Sequence, residues 1–229
     1  MTNFAIPLWD TPTIPVLNSD TAFPVRRIYC VGRNYAAHAR EMGHDPDREP
    51  PFFFTKPADA IVLNGSDTPY PVQTSNLHPE IEMIVALSKG GVDIPLEDAN
   101  DCIFGYGVGL DLTRRDMQGV AKDMGRPWDM SKGFDHSAPV TNITPVSECG
   151  IIESGSISLT VNDKLRQESD LSAMIWDVPE TINYLSGLVE LKPGDLIFTG
   201  TPDGVAAIER GDVLVGRVDG LEELKITMV

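Results

Sequence analysis

Three acidic residues, Glu80, Glu82 and Asp111, lie in strand-like stretches of the sequence where their carboxylates can converge. Side chains alternate between the two faces of a strand, so Glu80 and Glu82 project from the same face. Ile81 and Met83 form an apolar face on the other side. Converging carboxylates repel one another unless a cation lies between them, and oxygen ligands suit a hard ion such as Mg2+ or Mn2+. The spacing raises the hypothesis of a metal site, although three unrelated acids in an acid-rich chain also fit it.

The segment that carries Asp111 is rich in glycine. Gly107 and Gly109 have the same parity as Asp111 along a strand, so the face that they share lacks bulky side chains. We expect this face to leave room for a ligand beside the carboxylates.

A histidine and a glutamate occur at helical spacing nearer the start of the chain. A capping residue and a later glycine predict a short helix over about residues 35–43. His38 and Glu41 are three positions apart and lie on the same side of this helix. The proline-rich, charged stretch 44–51 follows, and flexible connections suit a lid that closes over a site. By spacing alone, a surface ion pair is the commoner interpretation of these two residues.

Strand signals dominate the rest of the chain. Strands are predicted over residues 25–32, 157–161, 165–167, 196–202, 213–215 and 224–228, and helices over about 114–124 and 179–188. Asn162 and Asp163 favour a hairpin turn, and Thr113 and Asp116 have the spacing of a helix capping box. Because the strands do not alternate regularly with helices, we expect a mixed, mostly antiparallel α+β fold.

Domain organisation follows from composition along the chain. Residues 1–24 are rich in proline and threonine, which predicts an extended N-terminal arm. Residues 25–229 are long enough to bury a substantial core as one domain.

Bulk charge excludes some classes of partner. The chain has 18 basic and 34 acidic residues, a net charge of −16, which argues against binding to nucleic acid or to anionic membrane surfaces. The start of the sequence lacks the pattern of a signal peptide, and no apolar run is long enough to span a membrane. The three cysteines show no paired spacing, so we expect reduced thiols and a cytoplasmic enzyme.

Six blocks of sequence occur in a characteristic order. They are Val31-Gly-Arg-Asn-Tyr-Ala-Ala-His38-Ala-Arg-Glu41-Met, Phe54-Thr-Lys56-Pro, His78-Pro-Glu80-Ile-Glu82, Gly109-Leu-Asp111-Leu-Thr-Arg-Arg-Asp116, Trp128-Asp-Met-Ser-Lys132-Gly-Phe and Phe198-Thr-Gly-Thr201-Pro-Asp-Gly204-Val. In type and order they resemble the fumarylacetoacetate hydrolase family over about residues 25–229. Within that family the chain most resembles the small acylpyruvate hydrolases, and among these the fumarylpyruvate hydrolases of gentisate catabolism. The resemblance implies mixed, mostly antiparallel sheets in a sandwich or roll with few short helices.

The resemblance also implies an activity, the cleavage of a carbon–carbon bond between two carbonyls of a small anionic diketo acid. It assigns the metal site to Glu80, Glu82 and Asp111, with one Mg2+ or Mn2+ per subunit. It assigns the base that activates water to His38, with Glu41 orienting the imidazole. The family's members also lead us to expect a homodimer.

Further residues are candidates for substrate contact. Lys132 lies in an apolar stretch, and the family pattern puts it beside the metal, where it stabilises developing negative charge. Arg33 and Arg115 suit a substrate carboxylate, and Arg33 can instead anchor the lid. Gln118 and Thr201 can bond carbonyl or carboxylate oxygens, or can be an exposed helix residue and a simple turn residue. His78, adjacent to the glutamates, is assigned a structural role rather than that of a fourth ligand.

Other functions fit the same residues. The family also contains decarboxylases of oxaloacetate-like acids and isomerases of unsaturated dicarboxylates, and the metal triad does not separate these reactions from hydrolysis. The His38–Glu41 pair, which would activate water, favours hydrolysis. A non-catalytic protein that binds metal or acid is a remote alternative, because such a protein would not need a complete base, triad and lysine.

Overall fold

Two β-sheets carry most of the described chain, which comprises residues 3–36 and 49–229 of the computed structural model. The eight-stranded sheet contains β3 (Arg27–Gly32), β4 (Phe52–Lys56), β5 (Ile61–Leu63), β8 (Ile81–Leu87), β9 (Ile103–Leu110), β11 (Ala138–Val140), β12 (Thr144–Pro145) and β15 (Asp195–Phe198). The five-stranded sheet contains β6 (Asp67–Thr68), β13 (Ser156–Val161), β14 (Lys164–Asp170), β16 (Val213–Val218) and β17 (Leu224–Met228). Two small pairs complete the strands, β1 (Thr13–Pro15) with β2 (Ala22–Pro24) and β7 (Leu77–His78) with β10 (Thr113–Arg114).

Helices are few and short among residues 3–36 and 49–229. Those with described bounds are the α-helices α1 (Arg115–Asp123), α2 (Asp129–Lys132), α3 (Val146–Cys149) and α4 (Val178–Leu188) and the 3-10 helices Ala58–Ala60, Leu96–Cys102 and Leu171–Ala173. Most strand pairs are antiparallel, with parallel pairs at β3–β15, β5–β11 and β6–β17. The expected mixed α+β fold is confirmed.

Strand β8 separates two hydrophobic cores. One face of β8 packs into the larger core, which also takes Ile157 and Leu159 from β13 and therefore joins the two sheets. The other face contributes Ile84 and Ala86 to a second core with β3 and β15. Every residue of β8 is buried, which is why the strand can hold functional side chains in fixed positions.

The N-terminal residues lie against this second core. Residues 13–24, expected to be an extended arm, form the β1–β2 hairpin, and Ile14, Val16 and Phe23 are buried. Upstream of the hairpin, Trp9 remains 80% exposed. The proline content that suggested an arm does not prevent pairing, because prolines are tolerated in short edge strands.

The predicted hairpin between β13 and β14 is confirmed. Its turn residues Asn162 and Asp163 have φ values of 50° and 61°, as a tight hairpin turn requires. Helix α1 lies within one residue of its predicted bounds, but the capping box predicted for it is wrong. The Thr113 hydroxyl donates instead to the carbonyl of Asp111, at 3.3 Å, and Asp116 bonds the loop before β7.

Helix α4 has the capping box that the sequence interpretation missed. The side chain of Asp177 accepts from the Glu180 amide at 2.8 Å, and the Glu180 carboxylate accepts from the Asp177 amide at 3.2 Å. In the described part of the chain, no helix combines the length and apolar character needed to cross a membrane.

Close packing of β9 against β12 makes a stability prediction at Gly105. A Cβ atom there would lie 2.3 Å from the carbonyl oxygen of Thr144 and 2.9 Å from Cα of Pro145, both of which are backbone atoms. We expect Gly105→Ala to lower the free energy of unfolding by about 1–3 kcal/mol, measured by urea denaturation. The matched control is Gly119→Ala in α1, where a Cβ meets nothing within 4 Å. This change should raise the free energy of unfolding by about 0.5–1 kcal/mol, and equal stability of the two variants would contradict the packing.

Candidate active site

The three predicted carboxylates converge at one end of the β8–β9 pair. Glu80 precedes β8, Glu82 lies within it opposite Gly109, and Asp111 follows β9. The Asp111 amide donates to the Glu80 carbonyl at 2.9 Å, which extends the ladder by one pair. One oxygen of each carboxylate lies within 4.8 Å of the others, and all three side chains are buried. Alternation along the strand therefore directs Glu80 and Glu82 to one side, as the sequence predicts.

The glycine face of β9 does not leave room for a ligand. A Cβ at Gly109 would lie 2.6 Å from Cδ1 of Ile84 and 2.9 Å from the ring of Phe198, and one at Gly107 would lie 3.1 Å from the Thr141 hydroxyl. That prediction is wrong because the space opposite the glycines is filled by neighbouring side chains. The glycines let the sheet pack closely beneath the carboxylates.

Lys132 joins two of the three carboxylates. Its Nζ donates to Oε2 of Glu80 at 2.8 Å and to Oδ2 of Asp111 at 2.6 Å from the end of α2. Burial lowers the pKa of Lys132, but the charges of Asp111 and Glu80 outweigh burial and leave that pKa raised. Lys132 is therefore a fixed cation rather than a proton acceptor.

Lys56 is a second buried cation, which the sequence interpretation did not single out. Its Nζ lies 2.8 Å from Oδ1 of Asp111 and donates to the backbone carbonyls of Leu112, at 3.2 Å, and of Lys132. It joins the end of β4 to the segment after β9 and to α2. A lysine within the apolar Phe-Phe-Phe-Thr-Lys strand is the available sequence signal for such a role.

Arg115 supplies the third cation at the start of α1. Its guanidinium donates to Oε1 of Glu80 at 2.5 Å and to Oε1 of Gln118 at 2.6 Å. Gln118 is buried, which excludes the exposed helix glutamine that its position also allowed. The arginine therefore orients a carboxylate and an amide that both line the site.

Glu82 differs from the other two carboxylates. It accepts a hydrogen bond from the Gly200 amide at 2.7 Å, and within the described ranges no basic side chain lies at ion-pair distance from it. Burial, followed by the charges of Asp111 and Glu80, raises the pKa of Glu82 well above its usual value. A buried carboxylate that is costly to ionise beside two others fits a divalent cation held by hard oxygen donors.

Thr201 is held by a residue that the sequence did not reveal. Gln167 donates to the Thr201 hydroxyl and to the Pro202 carbonyl, both at 2.8 Å, and accepts from the Ile81 amide at 3.0 Å. A register shift between β13 and β14 rotates this strand so that Gln167 is buried and Leu165 is exposed. From residue type alone, Leu165 would be expected to be buried and Gln167 to be exposed. The sequence therefore contains no indication that Gln167 is part of the site.

Arg33 lies at the end of β3 and faces the same space. Its φ of 57° is in the left-handed region, and its guanidinium lies 5.0 Å from the centre of the Phe52 ring. Next to it, Asn34 donates to the carbonyls of Trp176 and Thr199, both at 2.8 Å. His38 and Glu41, and most of the predicted lid helix, lie outside the described residues.

His78 lies beside the site without joining the triad. Its Nε2 is 2.8 Å from Oδ1 of Asn76, and burial and the charge of Arg115 lower its pKa to about 4. The ring is therefore neutral.

Two neighbouring cavities lie at the carboxylates. A small one, about 20 Å3, contacts Glu80, Glu82, Arg115, Gln118 and Thr201. A larger one has a volume of about 530 Å3. Five residues line both, namely Arg33, Phe52, Phe54, Trp128 and Lys132.

The chain is similar to known proteins over most of its length. The family model described as fumarylacetoacetate (FAA) hydrolase C-terminal matches residues 27–229. The chain is 42% identical to a fumarylpyruvate hydrolase from Ralstonia sp. over 189 residues, 82% of this chain and 98% of the relative. It is 38% identical to a mitochondrial oxaloacetate decarboxylase from Dictyostelium discoideum over 198 residues, 86% of this chain and 90% of that protein. A crystal structure of fumarylpyruvate hydrolase from Pseudomonas aeruginosa in complex with Mn2+ and pyruvate superposes with a TM-score of 0.97, at 53% identity and 99% coverage of both chains. The chain therefore belongs to the fumarylacetoacetate hydrolase family.

Proposed function

We propose that this chain is a metal-dependent hydrolase that cleaves a carbon–carbon bond of an acylpyruvate, with fumarylpyruvate as its substrate and fumarate and pyruvate as products. The observation that carries the proposal is the buried triad of Glu80, Glu82 and Asp111 with its surrounding cations. The Ralstonia relative and the Pseudomonas structure, both fumarylpyruvate hydrolases by name, support this choice of substrate.

Charge balance supports a site for an anion. Glu80, Glu82 and Asp111 carry three negative charges when ionised, and Lys56, Lys132 and Arg115 carry three positive ones. A divalent cation would therefore add two uncompensated positive charges to the cluster. Such a cluster attracts an anionic keto acid although the whole chain has a net charge of −16.

Glu80, Glu82 and Asp111 would hold Mg2+ or Mn2+, and the Mn2+ of the Pseudomonas structure supports this pair of ions. When bound, the ion supplies Lewis-acid stabilisation of the negative charge that develops on the substrate's oxygens. Lys132 adds a fixed positive charge beside the same oxygens. Gln118 and Thr201 donate hydrogen bonds that orient the keto acid beside the carboxylates.

Water is the second substrate. His38 takes a proton from it, the resulting hydroxide adds to the acyl carbonyl, and the bond between that carbon and the pyruvate methylene breaks. The electron pair stays on the methylene carbon, which His38 then protonates to give pyruvate. Glu41 holds the imidazole of His38 in the tautomer that accepts the first proton.

A second candidate function uses the same carboxylates without an attacking water. Decarboxylation of oxaloacetate also develops negative charge on a keto acid, and the Dictyostelium relative, an oxaloacetate decarboxylase by name, favours this alternative. Isomerisation of an unsaturated dicarboxylate belongs to the same group of reactions. The reaction products separate these functions, because hydrolysis alone consumes water and releases a second carboxylic acid.

The enzyme should be most active on acylpyruvates, and its activity should require a divalent metal ion. We expect purified protein with Mg2+ or Mn2+ to remove the ultraviolet absorbance of enolised fumarylpyruvate and to release fumarate and pyruvate in equal amounts. EDTA should abolish this activity and excess metal should restore it. Oxaloacetate should be turned over more slowly. Faster turnover of oxaloacetate would favour the decarboxylase, and full activity in EDTA would exclude the metal site.

Glu82→Gln should abolish both turnover and tight Mn2+ binding. The amide keeps the shape of the side chain and can still accept from the Gly200 amide, but it removes the charge that a divalent ion requires. Isothermal titration with Mn2+ measures binding independently of activity. Glu190→Gln, at the exposed Glu190–Lys192 pair, removes the same charge and should leave both unchanged. Retained Mn2+ affinity in Glu82→Gln would exclude this carboxylate as a ligand.

His38→Ala should lower the kcat for hydrolysis by about 10²–10⁴-fold, as the loss of a general base does. Mn2+ affinity should stay the same, because the proposed role of the imidazole is to accept a proton and not to bind the metal ion. Glu41→Gln should cost less than His38→Ala, since it only orients the ring. Any oxaloacetate decarboxylation should survive His38→Ala better than hydrolysis does. Equal losses of the two activities would contradict the role in water activation.

A further inference from the structure

The larger cavity is lined in part by residues that do not line the small cavity at the triad. It is lined by Arg33, Phe52, Phe53, Phe54, Thr55, Arg126, Pro127, Trp128, Asp129 and Lys132. Lys132 lines both this cavity and the small cavity at the carboxylates, whereas Arg126 lines the larger cavity and not the small one. Arg126 also lines a neighbouring cavity beside α1 and α2.

One continuous segment links these two positions. Arg126 is followed by Pro127 and Trp128, and then by α2, which ends at Lys132. Hydrogen bonds from the amides of Ser131 and Lys132 to the Trp128 carbonyl, at 2.8 and 3.0 Å, hold the segment in a tight turn. The placement of Lys132 among the carboxylates therefore constrains where Arg126 stands.

Cations outnumber anions along this cavity. Among the described residues that line it, Arg33, Arg126 and Lys132 are cationic and Asp129 alone is anionic. Within residues 3–36 and 49–229, neither arginine lies within ion-pair distance of a carboxylate. Burial and the nearby charges of Arg33 and Arg115 lower the pKa of Lys122, which reflects the crowding of positive charge around the site. In a chain with a net charge of −16, such unpaired arginines indicate an anion-binding surface.

The walls between the two ends are aromatic. The rings of Phe52 and Trp128 lie 5.4 Å apart in an edge-to-face arrangement, and Phe54 lies 6.0 Å from Trp128. Arg33 covers the Phe52 ring. The rings of Phe52 and Phe54 both pack against Trp128 and form an aromatic wall of the cavity, against which the apolar face of a flat, conjugated acyl chain can lie.

We propose that Arg126, together with Arg33, binds a second carboxylate at the far end of the acyl chain and selects dicarboxylic acylpyruvates over monocarboxylic ones. This inference rests on the proposed function. It adds a residue that binds the end of the substrate farthest from the bond that is cleaved. The keto-acid end lies at the triad, the conjugated chain lies against the aromatic wall formed by Phe52, Phe54 and Trp128, and the distal carboxylate pairs with the guanidinium of Arg126. An arginine suits this role because its donors form a fork that matches a carboxylate.

The experiment compares two substrates in the holoenzyme with Mg2+. Fumarylpyruvate carries the distal carboxylate and acetylpyruvate lacks it. Arg126→Gln should lower kcat/KM for fumarylpyruvate by about 10- to 100-fold, the loss expected for a charge-assisted pair, and mainly through KM. Acetylpyruvate should lose much less, so the ratio of the two kcat/KM values should fall by nearly the same factor. Arg126→Lys should recover part of the ratio, since it restores the charge without the fork.

Arg217→Gln is the matched control. Arg217 is an exposed arginine paired with Glu223 on the five-stranded sheet, and its replacement makes the same change in net charge. The substrate ratio in this variant should equal that of the unmodified enzyme. An unchanged ratio in Arg126→Gln, or equal losses on both substrates, would overturn the proposal for Arg126 while leaving the hydrolase intact. No hydrolysis of either substrate by the unmodified enzyme would overturn the proposed function itself.

Discussion

The buried charge cluster at the end of β8 and β9 is the constraint on which the rest of the site depends. Three carboxylates are removed from water there, and burial of an unpaired ion costs several kcal/mol in a protein. The cost is offset only if cations reach the same place from elsewhere in the chain. Lys56 from β4, Lys132 from α2 and Arg115 from α1 pair with Glu80 and Asp111, so these ion pairs help to fix the positions of three elements around the site. The core beneath supplies rigidity, because β8 is buried on both faces.

The same arrangement connects the carboxylates with the space where a substrate would lie. Lys132 contacts the triad and also lines the outer cavity, and the aromatic strand before Lys56 forms one wall of that cavity. Ion pairs that stabilise the cluster therefore also shape the cavity. The aromatic residues of this wall take no part in the ion pairs. Their replacement could therefore change the shape of the cavity while the charge balance at the triad stays the same.

Local patterns in the sequence predicted the parts of the site that depend on one strand or one turn. The shared face of Glu80 and Glu82, the Asn162–Asp163 turn and the bounds of α1 all follow from alternation or turn chemistry. Resemblance to a family added Lys132, whose position depends on distant segments. The rest could not be predicted because it depends on non-local packing. The space beside Gly109 is filled by side chains from other strands, and Gln167 is buried through a register shift that its own strand does not reveal.

Arg33 shows a conflict between the stability of the backbone and the demands of the site. A non-glycine residue with φ of 57° costs about 1–2 kcal/mol relative to an ordinary conformation, and glycine would avoid that cost. The chain instead has a long cation there, over the Phe52 ring and facing both cavities. If Arg33 binds substrate as proposed, position 33 exchanges stability for function, and selection for thermal stability alone would favour the loss of this arginine.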